Sequence, residues 1–273
     1  ESSTTPSVFF TAYAPVHFRW HQRFLEMAKI GAAGYVNQWF FSGNRDTPPE
    51  EMQYHAVWEP GRTTEELLAV IARRDFGLSD AAAARAVEGW RMISEAWDDF
   101  PYSAMTAGER DCYARGPMHY GPAHPLIFNT QSGYGLSERF RPSTGSPRYV
   151  SELLLALPFG LDRYLQLLEA CRTRRAAGVQ VLKQAIGETP TVRARMELDV
   201  CELIEIQLAT LENVTRFYAA REKLWRTPVD LPAFRTIIDE LTRIANAEIA
   251  NAERSLPIVE RDYRIRAYDA DMV

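Results

Sequence analysis

Three places in the chain combine residue types and spacings that can do chemistry. The first is Gly31-Ala-Ala-Gly-Tyr-Val-Asn-Gln-Trp-Phe-Phe-Ser-Gly-Asn44, where strand-forming residues run straight into polar groups and glycine. Tyr35, Val36, Trp39, Phe40 and Phe41 favour extended backbone. The stretch therefore reads as a buried strand with Asn37, Gln38 and Ser42 at or near its carboxyl end, where α/β sheets present their ligand groups. Trp39, Phe40 and Phe41 equally suit a core. The second place is His17 and His21, four residues apart on an expected helix, a spacing at which two imidazoles can chelate a metal. The glutamate of a metalloprotease signature is missing, because Phe18, Arg19 and Trp20 lie between them. A packed or solvent-facing pair is the preferred reading, and no metal or other cofactor is expected. The third is Arg115-Gly-Pro-Met-His-Tyr-Gly-Pro-Ala-His-Pro125, in which His119 and His124, with Arg115 and Tyr120, can reach over a pocket as a lid or a substrate contact. The competing reading is a loop that only packs.

Other polar residues read as structural. Asp46, Glu50, Glu51 and Glu59 are the carboxylates nearest the first stretch and suit solvated or capping positions. Glu248, Asn251, Glu260, Asp262 and Arg264 cluster in and after the last helix, where hydrogen bonds between helices or domains are the simpler account. Asn213-Val-Thr215 is an acceptor sequon on an expected helix and has meaning only in a secretory eukaryotic host. The three cysteines, Cys112, Cys171 and Cys201, are too few and too scattered for a disulfide framework or a thiolate metal site. Two of them lie within amphipathic helical patterns, where a free cysteine behaves as a small hydrophobe.

The elements that must position these groups are mostly helical. Val8 to Tyr13 is short, β-branched or aromatic and stopped by Pro15, which predicts a strand. Phe18 to Ile30 has helical spacing, with Phe18, Leu25 and Ile30 as its apolar positions and Gly31 as its C-cap. Together with the stretch after Gly31 this makes a β-α-β piece over residues 1–46, whose parallel strands need sheet neighbours that the rest of the chain does not offer. Residues 47–147 read as helices followed by a long Gly/Pro/aromatic loop. Thr63 to Glu66 is a capping box, Phe76-Gly77 a helix end, and Ser79-Asp80 a new start whose face runs through Ala83, Val87, Trp90, Ile93, Ser94 and Trp97. Residues 148–273 read as a three-helix antiparallel bundle. Its first stripe, Leu153, Leu157, Leu161, Leu165 and Leu168, is kinked by Pro158 and Gly160. Its second helix spans Thr191 to Trp225. Its third spans Ala233 to Leu256, with Ile237, Leu241, Ile244, Ile249 and Leu256 facing inward.

Composition bounds the function. With 273 residues, 46% hydrophobic and 25% charged, the chain can bury a sizeable core in one large or two modest domains. A formal net charge of −5 gives no general attraction to phosphate backbones or anionic lipid, so nucleic acid and membrane are not expected partners. The chain begins at Glu1 rather than Met and carries no signal-peptide pattern, so a mature, processed or truncated product is expected.

Several motifs together resemble a known kind of protein. Trp39, Trp58-Glu-Pro60, Arg73-Arg-Asp-Phe-Gly77, Trp90 and Ser94-Glu-Ala-Trp97 are similar to the end of a (β/α)8-barrel glycoside hydrolase passing into its C-terminal helical region. Glu248-Ile-Ala-Asn-Ala252 followed by Leu256-Pro-Ile-Val-Glu260-Arg-Asp262-Tyr-Arg264 resembles the close of helical domains in such carbohydrate-active proteins. The resemblance implies a mainly α chain that finishes a barrel begun in an N-terminal portion or a barrel-bearing partner chain. Glycoside hydrolysis needs two carboxyl groups facing the bond, and neither expected strand ends in one. The resemblance thus implies a chain that lines a carbohydrate site rather than supplying its acid and base. Tyr13, Asn37, Gln38 and Trp39 would bind hydroxyls and stack on a sugar face, with His119 and His124 above them. The alternative is a non-catalytic helical module whose grooves bind another protein.

Overall fold

The computed structural model describes residues 13–34, 47–101, 121–122, 126, 128, 156, 159–226, 231–262, 264 and 265. Among them the protein is mainly helical, with seven α-helices and no strand. The two expected strands lie almost wholly outside the described residues, as does the Gly/Pro/aromatic loop apart from a few positions. Only Tyr13, at the edge of the first strand, and Gly31 to Gly34, ahead of the second, are described, and none is in a strand.

Local chemistry accounts for the helix ends. Helix α1 (His17–Lys29) stops where Gly31 takes a positive φ of 71°. Helix α2 (Pro48–Trp58) starts with prolines, whose missing N–H groups need no partner in a first turn, and with Glu50 and Glu51 against the positive end of its dipole. Helix α3 (Thr64–Phe76) carries both halves of the expected capping box: Thr63 accepts from the Glu66 backbone, and Glu66 accepts from the Thr63 backbone at 2.9 Å. Gly77, at φ 67°, closes it. Ser79 caps α4 (Asp80–Glu95), which tightens into a 3-10 turn, Ala96–Asp99.

The three long helices are α5 (Leu161–Ile186), α6 (Val192–Arg226) and α7 (Leu231–Arg261). Two of them depart from expectation. Residues 156 and 159 are in turns and α5 begins only after Gly160, at φ 76°, so the expected kink is instead a helix start. Helix α7 continues through Pro257 to Arg261. Proline costs a helix one hydrogen bond, but beyond it Ile258 is buried and Arg261 donates two bonds to the buried Asp199, at 2.8 and 2.6 Å. Tertiary contacts override the local preference.

Two inward faces also differ from the apolar pattern. Helix α1 buries His17, His21 and Phe24, while Ile30 is exposed. The buried face of α7 runs Ile237, Leu241, Ile244, Glu248, Asn251, Ser255 and Ile258, leaving Ile249 and Leu256 in solvent. In each case polar side chains hold the inward positions because partners are waiting for them.

The chain forms two compact units. The first comprises Glu1–Asp99, Ala170–Glu205 and Ile258–Val273; the second comprises Phe100–Glu169 and Ile206–Pro257. The core of the first gathers Met52, Leu68, Ile71, Phe76, Trp90, Ile93, Leu182 and Cys201. Two glycines let α4 and α5 meet there almost backbone to backbone. A Cβ on Gly89 would stand 2.8 Å from the Leu182 nitrogen, and one on Gly178 would stand 2.9 Å from the Ile93 nitrogen. In the second unit α6 and α7 meet through Glu248, which accepts from Thr210 Oγ1 at 2.8 Å, Asn213 Nδ2 at 3.0 Å and Asn251 Nδ2 at 3.3 Å. Asn213 is therefore engaged between helices, and Thr215 is buried with its hydroxyl on the Leu211 carbonyl. No helix among the described residues is long and apolar enough to cross a membrane.

Candidate functional site: a buried carboxylate node

The densest polar chemistry among the described residues surrounds Glu197 in the first unit. Ala194, Glu197, Leu198 and Cys201 share one face of α6, so the helix that packs its apolar stripe must also bury this carboxylate. Its Oε1 accepts from Trp90 Nε1 at 2.8 Å and lies 2.9 Å from His17 Nε2. Its Oε2 accepts from the Tyr13 hydroxyl. Because the carboxylate only accepts, His17 must present its N–H at Nε2. The residues after α7 close the group. Asp262 accepts from Arg264 Nε at 2.9 Å and Nη2 at 2.7 Å, Arg264 also donates to the Met196 carbonyl at 3.2 Å, and its guanidinium lies 5.9 Å from the Tyr13 ring centroid.

The electrostatics follow from burial set against donors. Burial alone would raise the Glu197 carboxyl, but the His17 charge and the bonds from His17, Tyr13 and Trp90 outweigh it and hold the carboxyl below its ordinary 4.5. Burial, and then the Glu197 charge, push the Tyr13 hydroxyl and the Cys201 thiol well up. A carboxyl with a depressed value in the folded state stabilises the protein above its unfolded value and loses that contribution as pH falls through the folded one. Thermal melts should therefore show the midpoint falling below about pH 4.5, and Glu197→Gln should lose part of that slope. An unchanged slope in a folded Glu197→Gln protein would remove Glu197 from the account.

Such a node can position chain segments but cannot exchange protons with a substrate in solvent. It ties the segment Tyr13–His17, α4, α6 and the residues after α7 to one charge.

The structure distributes the expected site residues unevenly. Tyr13 is 1% exposed and its hydroxyl is committed to Glu197. Asn37, Gln38, Trp39, His119 and His124 lie outside the described residues. His17 and His21 sit one turn apart, but His17 turns Nε2 to Glu197 and His21 places Nδ1 2.9 Å from Thr64 Oγ1. Among the described residues no group of three or more His, Cys, Asp or Glu side chains is arranged to hold a metal. Glu51 makes a two-point pair with Arg74, at 2.9 and 2.5 Å, and Glu59 pairs with Arg62 at 2.7 Å. Cys171 and Cys201 are free and fully buried.

Glu197 and its partner Trp90 had a signal in the sequence. A carboxylate three residues after Ala194 and four before Cys201 falls on the inward face of α6, where an unpartnered charge would be very costly. Mainly helical is the class that the fold defines. No known family, curated protein or solved structure matches the chain.

Proposed function

We propose that this chain belongs to a carbohydrate-active hydrolase and acts there as a helical buttress, completing a (β/α)8 barrel and lining its sugar site. The observation that carries the buttress is the Glu197 node, a sealed carboxylate with both oxygens hydrogen-bonded, which fixes Tyr13, at the end of the first expected strand, to helices α1, α4 and α6. A group so placed fits support rather than acid-base chemistry. The bundle expected of α5, α6 and α7 would be the body of the buttress. Asn37, Gln38 and Trp39, with His119 and His124, would form the wall that meets sugar, and the acid and base would come from the barrel-bearing portion or partner.

A second reading, a module that binds another protein, is favoured by helix α2. Tyr54, Val57 and Trp58 form one stripe at helical spacing, and Trp58 is 80% exposed. Two substitutions separate the readings. In the assembled protein Trp39→Ala should weaken oligosaccharide binding or turnover about fivefold or more, while Trp58→Ala leaves it within about twofold, since stacking on an indole is worth on the order of 1 kcal/mol or more. Unchanged sugar handling by folded Trp39→Ala would sink the first reading. Loss of a protein partner on Trp58→Ala alone would favour the second.

A further inference from the structure

We propose that Arg175 holds a small inorganic anion of the halide class inside the first unit. Arg175 lies on α5 and is fully buried. Its Nη2 donates to the Cys201 carbonyl over a long 3.3 Å, and its guanidinium lies 5.8 Å from the centroid of the Trp97 ring. Its Nε and Nη1 have no hydrogen-bond partner in the protein. Ser94, on α4 just ahead of the 3-10 turn that carries Trp97, also has a buried hydroxyl without a partner in the protein.

A guanidinium does not give up its proton in a protein, so burial cannot be relieved by neutralisation. The charge needs an opposite one in direct contact, and among the described residues no carboxylate is hydrogen-bonded to Arg175. Cys171 and Cys201 are thiols that burial pushes up, Cys171 to about 11, and both stay neutral at physiological pH. Glu197 acts on Arg175 through space, but its oxygens are taken by Tyr13, His17 and Trp90. Glu205 likewise acts on Arg175 through space. Internal water would satisfy the idle donors but not the charge. The complete burial of the side chain selects a monatomic anion over a carboxylate-bearing ligand. A bound halide would also stabilise α5 against the 3-10 turn that carries Trp97, because an ion that binds only the folded state raises its stability.

The test uses the full chain at constant ionic strength, with potassium gluconate replaced stepwise by potassium chloride or bromide. Wild type should show a saturable rise in melting temperature of several degrees with either halide. Arg175→Lys should weaken that response, and Arg175→Met should abolish it while melting higher than wild type in gluconate. If Arg175→Met does not fold, crystals of wild type grown in bromide decide the matter through an anomalous peak beside the guanidinium. Equal melting of wild type in halide and gluconate overturns the proposal. So does a rise that never saturates and survives in Arg175→Met, or density at Arg175 that is water only.

Discussion

Replacing Glu197 by alanine is expected to cost about 3–5 kcal/mol, enough to leave a domain of ordinary stability largely unfolded. The loss would not come from the carboxylate alone. Tyr13, His17 and Trp90 all aim donors at it from fully buried positions. Each abandoned donor carries its own desolvation cost of about 1–3 kcal/mol, reduced where the cavity left by the side chain admits water. Glu197→Gln should be milder, at about 1–3 kcal/mol. Its amide oxygen can still accept, and the Tyr13 hydroxyl can rotate to accept from the amide nitrogen, but the negative charge facing His17 is gone. Tyr13→Phe combined with Glu197→Gln should therefore be non-additive by at least about 0.5 kcal/mol, as expected for groups in one network. Urea denaturation of the four proteins gives the cycle. A Glu197→Ala protein with a wild-type midpoint would show that the node holds nothing together.

The helical part of this architecture was legible because its signals are local. Thr63 and Glu66, Ser79, and Phe76-Gly77 mark helix ends by direct backbone chemistry, and the structure puts helix boundaries beside all of them. The inward faces were less legible, since apolar periodicity assumes that polar residues point out. On α7 it selected Ile249 and Leu256, both exposed, over Glu248, Asn251 and Ser255, which are buried because Thr210, Asn213 and backbone carbonyls meet them. On α1 it passed over His17 and His21 for the same reason. Partners 184 and 180 residues apart in sequence, as Tyr13 and His17 are from Glu197, leave no local trace. The third long helix runs on past its expected end at Leu256, because the local cost of Pro257 is outweighed by what Ile258 and Arg261 contact.

Gly89 and Gly178 carried a readable signal that composition alone hides. Glycine inside a helix is about 1 kcal/mol worse than alanine, so two of them in otherwise strong helices ask for a reason. The reason is close approach. A Cβ on Gly178 would meet the Ile93 nitrogen, the Ile93 Cγ1 and the Met92 Cβ, all at 2.9 Å, and the Gly178 carbonyl is itself 3.0 Å from where a Cβ on Gly89 would stand. Backbone atoms are among these neighbours, so a rotamer change cannot relieve the overlap. Gly178→Leu should drive α4 from α5 and open the core around Trp90, Ile93 and Leu182, at a cost of about 3 kcal/mol or more. Gly178→Ala should cost less, because the gain in helix propensity offsets part of the strain. Gly61→Ala, where an added Cβ meets nothing within 4 Å, should stay within about 0.5 kcal/mol of wild type. Thermal and urea melts rank the three, and Trp90 offers a fluorescence probe of the loosened interface. If Gly178→Leu melts with the Gly61→Ala control, then α4 and α5 do not approach as described, and the wall that presents Trp90 to Glu197 must be built some other way.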